Sequence, residues 1–182
     1  MSIVPPLKEG RSLLGNGNRN VRQDLKNYLF QSLLTFLCVG AALLLYGLFG
    51  GFIVASLGAS SFIIFITPHA EGARSKYVIG GYICGCVTGI VFSFLFGALH
   101  KYIPDLLFHG VDYTQVIVCA AASALTTLLM STTGFVHPPA AALALGLAID
   151  SDRLKTAAAA LIGVLILCTV RRVLRKYIKN LV

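Results

Sequence analysis

The chain has 182 residues, of which 57% are hydrophobic and only 12% are charged, whereas soluble domains carry about 25% charged residues. The composition therefore excludes an ordinary soluble domain. The few charges are gathered in short windows with long apolar stretches between them. Because a spanning helix needs roughly 20 apolar residues, we expect an all-α, polytopic membrane helix bundle that forms a single unit.

The net charge of +8 is concentrated at the two ends of the chain, since ten of the fifteen Lys and Arg residues lie there. They are Lys8, Arg11, Arg19, Arg22 and Lys26 before the first apolar segment, and Arg171, Arg172, Arg175, Lys176 and Lys179 after the last. By the positive-inside tendency, this placement predicts that both termini are cytoplasmic and that the number of crossings is even. It favours an integral protein of a bacterial inner membrane, in contact with the lipid bilayer, over one that binds nucleic acid.

In chain order, a polar cytoplasmic tail over residues 1–26 precedes one transmembrane domain over 27–176, and a basic tail end follows over 177–182. Four long apolar segments are predicted at about 27–49, 77–99, 113–132 and 156–176. Two short ones lie at 52–66 and 138–149, and at 1.5 Å per residue they are roughly 22 Å and 18 Å long, against ~30 Å for the hydrocarbon core. The short pieces either cross, which makes six crossings, or are re-entrant, which makes four. Both alternatives place them facing one another.

The order long, short, long occurs twice, which suggests two repeat halves at 27–99 and 113–176. A weak similarity at an offset of 81 residues aligns 59–64 with 140–145. Paired interrupted segments at corresponding places in two halves are the best sequence indication of a transporter binding site.

The stretch from Tyr113 to Ile149 contains no Asp, Glu, Lys or Arg, yet it includes His137 and the pair Pro138-Pro139. Two prolines cannot continue a simple spanning helix. Broken backbone at membrane depth is tolerated only where protein buries it or where it lines a cavity, and polar groups there are candidate functional sites. The sequence therefore predicts an intramembrane site near His137.

Two helix starts are expected to form this site. Proline is favoured at the first helical position, so Pro138-Pro139 should begin a helix that runs to Ile149, and residues 58–61 should begin one that runs to Ile66. Helix N-termini carry unpaired N–H groups and partial positive charge, which suit anions. The predicted substrate-binding residues are Gly58, Ala59, Ser60, Ser61, Thr132, Thr133, His137, Pro138, Pro139 and Ala140. A site without Arg or Lys favours a weakly bound monovalent anion over phosphate.

Other interpretations stay open. His137 is alternatively a structural hinge, and Ser60 and Ser61 alternatively permit close helix packing. An imidazole also permits proton coupling. The glycines at 80, 81, 85 and 89 are interpreted as packing surfaces. We expect no cofactor and no enzyme chemistry, because His69 and His137 fall short of the three ligands of a catalytic zinc site. The alternatives are a metal protein or enzyme that uses these two histidines, and a structural or regulatory subunit. A bundle this small also leaves room for a homo-oligomer.

Four motifs resemble those of the HPP family of small integral membrane proteins, which is named for its His-Pro-Pro motif. They are residues 58–61 (Gly-Ala-Ser-Ser), 67–69 (Thr-Pro-His), 78–82 (Val-Ile-Gly-Gly-Tyr) and 134–140 (Gly-Phe-Val-His-Pro-Pro-Ala). The resemblance covers about residues 28–170. It implies four spanning segments and the movement of a small anion. Since plant and cyanobacterial members are associated with nitrite transport, nitrite is the first candidate substrate.

Overall fold

The computed structural model describes residues 21–49, 51–102, 107–108 and 111–181. In these ranges the chain forms six α-helices: α1 Val21–Phe49, α2 Gly51–Ile66, α3 Ser75–Tyr102, α4 Tyr113–Thr133, α5 Pro139–Ala148 and α6 Arg153–Leu174. A 3-10 turn, Glu71–Ala73, precedes α3. Two-residue strands, β1 Leu107–Phe108 and β2 Val111–Asp112, pair antiparallel between α3 and α4.

The predicted all-helical membrane bundle is confirmed. The four long segments correspond to α1, α3, α4 and α6, and the two short ones to α2 and α5. Among the described residues, α3, α4 and α6 are long and apolar enough to cross a membrane. Two differences concern local structure. Helix α1 already begins at Val21, so 21–26 belong to a helix rather than to the predicted tail, whose residues 1–20 lie outside the described ranges. The short strand pair has no counterpart in the sequence analysis.

The six helices alternate in direction. Helix α2 runs back along α1, since the Gln31 side chain near the start of α1 reaches the carbonyl of Phe65 near the end of α2. Helix α5 runs parallel to α3, and α6 returns antiparallel to α3, with Arg153 at its start bonded to Ser93. The starts of α1, α3 and α5 therefore share one end of the bundle with the ends of α2, α4 and α6. Six helices of alternating direction thus form the described bundle, and the two short ones, α2 and α5, are shorter than the helices that could span a membrane.

Helix α5 lies directly on a glycine face of α3. A Cβ atom added at Gly85 would lie 2.5 Å from the carbonyl oxygen of Ala140, and one at Gly89 would lie 2.9 Å from that of Ala144. A Cβ atom at Gly81 would lie 2.7 Å from Cβ of His137. Positions four apart share one helix face, and glycine on such a face lets two backbones approach closely. The interpretation of these glycines as packing positions is confirmed, and α3 thereby fixes the position of His137.

The end of α2 is closed by donors from distant parts of the chain. Carbonyl groups in the last turn of a helix have no partner within it. Here the Gln31 Nε2 group donates to the carbonyl oxygen of Phe65 at 2.6 Å, and the backbone N–H of Leu181 donates to that of Ile66 at 3.0 Å. The Arg171 guanidinium donates to the next free carbonyl, that of Pro68. Three separate elements thus hold the end of α2.

The residues after α6 fold back onto this same end. The Gln31 amide also donates to the carbonyl oxygen of Lys179 at 2.7 Å, and the Tyr28 hydroxyl donates to that of Leu181 at 3.1 Å. The side chains of Ile178 and Leu181 are buried. The described part of the predicted tail end at 177–182 therefore packs against the bundle.

Substitution of Gln31 tests whether these hydrogen bonds stabilise the end of α2. We expect Gln31→Leu to lower the free energy of unfolding by about 1–2 kcal/mol, because the buried carbonyl of Phe65 and the part-buried carbonyl of Lys179 lose their donor. The loss is partly offset, since the Oε1 atom of Gln31 is itself buried without a partner. Thermal unfolding in detergent, followed by circular dichroism, measures the change. The control is Thr35→Val, whose hydroxyl donates only within α1. Equal stability of the two variants would contradict this role for Gln31.

Candidate functional site

The site is built around the turn between α4 and α5. Gly134 ends α4 in the left-handed conformation, with φ of 74°, which glycine adopts without steric cost. Pro138 then caps α5, and Pro139 is its first residue. The predicted helix start at the two prolines is therefore confirmed, and it sets His137 immediately before the first turn of α5.

The His137 ring points into the protein and is 0% exposed. Its Nδ1 atom lies 3.2 Å from the carbonyl oxygen of Gly72, and its Nε2 atom lies 2.9 Å from Oγ of Ser60. A carbonyl oxygen only accepts hydrogen bonds, so Nδ1 carries a proton. In the neutral ring the other nitrogen is then the acceptor, and Ser60 donates to it.

Hydroxyl groups continue from His137 across α2 and α3. The Ser60 oxygen lies 2.8 Å from the Tyr82 hydroxyl. Ser56 donates toward the Tyr82 oxygen at 2.9 Å and toward the carbonyl oxygen of Pro139 at 2.8 Å. Ser56, Ser60, Tyr82 and His137 are each 0% exposed, and we call these four residues the buried polar chain. It joins α2, α3 and the start of α5 through groups that carry no formal charge.

The buried polar chain lies inside the bundle rather than at its end. Ser60 precedes the end of α2 by six residues, and Gly81, which contacts His137, follows the start of α3 by six residues. At 1.5 Å per residue, both put the site about 9 Å from that end. Helices α2 and α5 contain no Asp, Glu, Lys or Arg. The site is therefore a polar cluster in apolar surroundings.

The prediction that residues 58–61 begin a helix is wrong. Helix α2 is continuous from Gly51 to Ile66, so these residues lie in its interior, where backbone N–H groups serve the helix itself. The Ser61 hydroxyl donates to the carbonyl of Gly58, which is how serine is commonly satisfied within a helix. Gly58 faces a Val39 side chain of α1, 3.7 Å from an added Cβ atom. Gly58 therefore packs against α1 at an ordinary van der Waals distance.

The start of α5 has few free donors. Pro138 and Pro139 have no backbone N–H. The N–H of Ala140 donates to the carbonyl of His137, and that of Ala141 donates to the carbonyl of Pro138, both at 3.0 Å. An anion at this helix start would compete with bonds already made. The buried polar chain, rather than a pair of facing helix N-termini, is therefore the candidate site.

The family model for the HPP transmembrane region matches residues 20–180. The chain belongs to the HPP family. It is accordingly an integral membrane protein, and the match covers every described helix together with the motif at His137–Pro139. No curated protein and no solved structure matched the chain.

This HPP protein brings together only part of the predicted site. Ser60, His137 and Pro139 meet in the buried polar chain or contact it, and Ala140 is buried beside it. Thr132 and Thr133 are exposed, and their hydroxyls donate to carbonyl groups of α4 itself. Ala59 and Pro138 are exposed as well. A ligand role for these four residues stays a prediction.

Three participants in the site were not among the predicted residues: Ser56, Tyr82 and Gly72. Ser56 precedes Ser60 by one helical turn, and the i, i+4 spacing on a continuous α2 would have placed both on one face. Tyr82 follows Gly81 directly, in a segment that was interpreted as packing. The carbonyl of Gly72 carries no signal in the sequence, because any residue type supplies one.

The buried polar chain is enclosed in this structure of the HPP protein. A cavity of about 190 Å³ lies elsewhere, between α1, α2 and α6, and its lining is apolar, including Leu37, Leu57 and Ile166. Both ring nitrogens of His137 are engaged, and His69 is exposed at the bundle end, where its N–H donates to Asn180. Among the described residues, no three His, Cys, Asp or Glu are grouped so as to hold a metal ion.

Proposed function

We propose that this HPP protein transports a small monovalent anion across a bacterial inner membrane, with nitrite as the first candidate. The observation that carries the proposal is the buried polar chain, a set of donors enclosed where the two short helices meet α3. Polar groups inside a membrane bundle mark ion or substrate pathways by default. The nitrite transport associated with plant and cyanobacterial members of the family supports the choice of substrate.

The side chains of the buried polar chain suit weak, reversible binding of an anion. Hydroxyls and an imidazole N–H can replace part of the hydration shell of an anion. Conduction requires binding that is favourable enough for entry and weak enough for release. Multiply charged anions are usually bound by Arg or Lys, and neither α2 nor α5 contains one. Monovalent anions are therefore the favoured substrates, and their passage needs no covalent chemistry at the site.

Passage requires a movement of α2. Two hydrogen bonds hold α2 to the start of α5, from Ser60 to His137 and from Ser56 to the carbonyl of Pro139. Because all four members of the chain are fully buried, an ion reaches them only when these helices separate. The groups released by that separation are the ones that would contact the ion.

Flux measurements test the proposal. Purified protein in liposomes should carry nitrite in a panel with nitrate, formate, chloride and bicarbonate, and the leak of protein-free vesicles is subtracted. Ser60→Ala and Tyr82→Phe each remove one hydroxyl group from the chain. We expect each to lower the flux by about fivefold to tenfold, since one hydrogen bond contributes about 1 kcal/mol.

The matched control is Ser131→Ala, an exposed serine of α4 that donates to the carbonyl of Thr127, and it should leave the flux unchanged. Equal flux in the wild type, Ser60→Ala and Tyr82→Phe would contradict the proposed pathway. Absence of flux for every anion, together with a partner that always co-purifies, would favour a structural or regulatory subunit instead.

The orientation follows from charge. The bundle end that holds the starts of α1 and α3 also holds the end of α6, with Arg74, Lys76, Arg171 and Arg172 in these segments. Under the positive-inside rule this end is cytoplasmic. We propose that both termini lie on that side. A cysteine-accessibility assay on intact cells, with Lys76→Cys compared with Lys155→Cys at the other end, tests the orientation.

A further inference from the structure

The buried polar chain has fewer hydroxyl protons than hydrogen-bonding contacts. Four contacts involve its hydroxyl groups: His137 with Ser60, Ser60 with Tyr82, Tyr82 with Ser56, and Ser56 with the carbonyl of Pro139. Each hydroxyl has a single proton to donate, so three protons serve four contacts. With a neutral ring, Ser60 donates to His137 and Tyr82 donates to Ser60. Ser56 must then divide its proton between two acceptors.

One additional proton removes the mismatch. If it binds Nε2 of His137, this nitrogen donates to Ser60, Ser60 donates to Tyr82, and Tyr82 donates to Ser56. Ser56 then donates wholly to the carbonyl of Pro139. Each of the four contacts, at 2.8 to 2.9 Å, now has its own proton. The proton comes from water, only hydroxyl orientations change, and nothing is oxidised or reduced.

Among the described residues, the surroundings supply no buried anion to pair with the resulting positive charge. Helices α2 and α5 have no titratable side chain. Apart from the far end of the bundle, the elements packed around the ring carry these titratable groups: His69, Glu71 and Arg74 before α3, Lys76, Tyr77, Tyr82, Cys84 and Cys86 on α3, Cys119 on α4, and Cys168, Arg171 and Arg172 on α6.

The single carboxylate in that set is engaged at the surface. Glu71 is exposed and accepts a hydrogen bond from the Tyr77 hydroxyl at 2.5 Å. A buried charge without a partner is strongly destabilising. Protonation of His137 is therefore favourable chiefly when a monovalent anion binds at the same time.

We propose that the buried polar chain takes up one proton with each anion, so that proton and anion cross together and no net charge moves. This inference rests on the proposed transport function and adds to it the proton as a second substrate. His137 holds the proton, and Ser60, Tyr82 and Ser56 reverse their hydrogen bonds in response.

Liposomes with a trapped pH-sensitive dye test the coupling. Nitrite uptake should carry one proton per anion above the leak of protein-free vesicles, and nitrate serves as a second probe because its acid does not leak. A potential set with potassium and valinomycin should leave the rate unchanged. A gradient of one pH unit, acid outside, should drive accumulation approaching about tenfold. Anion flux that responds to the potential and carries no proton would overturn the inference and leave the transport function standing.

His137→Gln is the matched variant, since glutamine offers a donor group and an acceptor group but takes up no proton in this pH range. Its flux should lose its dependence on pH between about pH 5 and 8, whereas Ser131→Ala should keep it. A second measurement does not need transport. When nitrite is added to weakly buffered protein in detergent, the wild type should take up about one proton per polypeptide. The His137→Gln variant should take up none. Equal proton uptake by both proteins, or none by the wild type, would overturn the proton site.

Discussion

Gly85→Ala should lower the free energy of unfolding by about 1–3 kcal/mol, the usual effect of an extra methyl group in a packed interface. The new Cβ atom would lie 2.5 Å from the carbonyl oxygen of Ala140 and 3.3 Å from its carbonyl carbon. These are backbone atoms in the first turn of α5, so relief requires that the whole helix shift. Thermal unfolding in detergent measures the effect, and the anion flux should fall with it because His137 immediately precedes this turn.

Gly97→Ala on the same helix is the control. Nothing lies within 4 Å of a Cβ atom added there, so the change should stabilise the protein by about 0.5–1 kcal/mol through helix propensity alone. The two variants differ only in position along α3 and should move the unfolding temperature in opposite directions. Stabilisation by Gly85→Ala as well would mean that α3 and α5 are not in close contact.

The second large effect is expected at His137. His137→Ala should lower the free energy of unfolding by about 2–5 kcal/mol, because it leaves a cavity and removes the partners of the Gly72 carbonyl and Ser60. His69→Ala should change it by less than about 0.5 kcal/mol, as is usual at exposed positions, since its ring is exposed and only its backbone is tied to Asn180. Chemical unfolding of the two variants in parallel measures the difference. A small effect at His137 would indicate that its ring faces water rather than protein.

The long helices could be predicted from the length of the apolar stretches in the sequence. The stretches predicted at 77–99 and 113–132 lie within or match α3 and α4, because the chain avoids charge only where it enters the apolar layer. The prolines likewise located the start of α5, since a ring that fixes φ and lacks an N–H suits the first helical position. These signals are local, and a local signal can be read without the fold.

The start of α2 was predicted wrongly because small residues occur both at helix ends and inside packed membrane helices. Glycine and serine, as at Gly58 and Ser61, have lower helix propensity than alanine, but small residues are also common inside membrane helices, where neighbouring helices pack against them. Which case applies depends on whether another helix lies opposite, and for Gly58 that neighbour is Val39 of α1. The assignment of an anion site to two facing helix starts failed at this point, although Ser60 itself is part of the site.

The site depends on contacts that the sequence does not encode locally. His137 meets Ser60 across 77 positions and Gly72 across 65. Its importance was predicted from an imidazole in an uncharged stretch, and Ser60 was predicted in the same site, but the carbonyl of Gly72 was not. Tyr82 reaches the cluster only because the glycine face of α3 brings α5 so near. Such a partner is identified from the packing of helices, and residue type alone does not reveal it.

The hydrogen bonds at the end of α2 have a consequence for biosynthesis. The carbonyl of Ile66 accepts a hydrogen bond from the N–H of Leu181. Gln31 and Tyr28 also donate hydrogen bonds to residues of that distant segment. A ribosome must therefore add more than a hundred residues after Ile66 before this helix end can be completed. The first helical hairpin enters the membrane unfinished, and nascent chains stalled before that point should be the ones that quality-control proteases recognise.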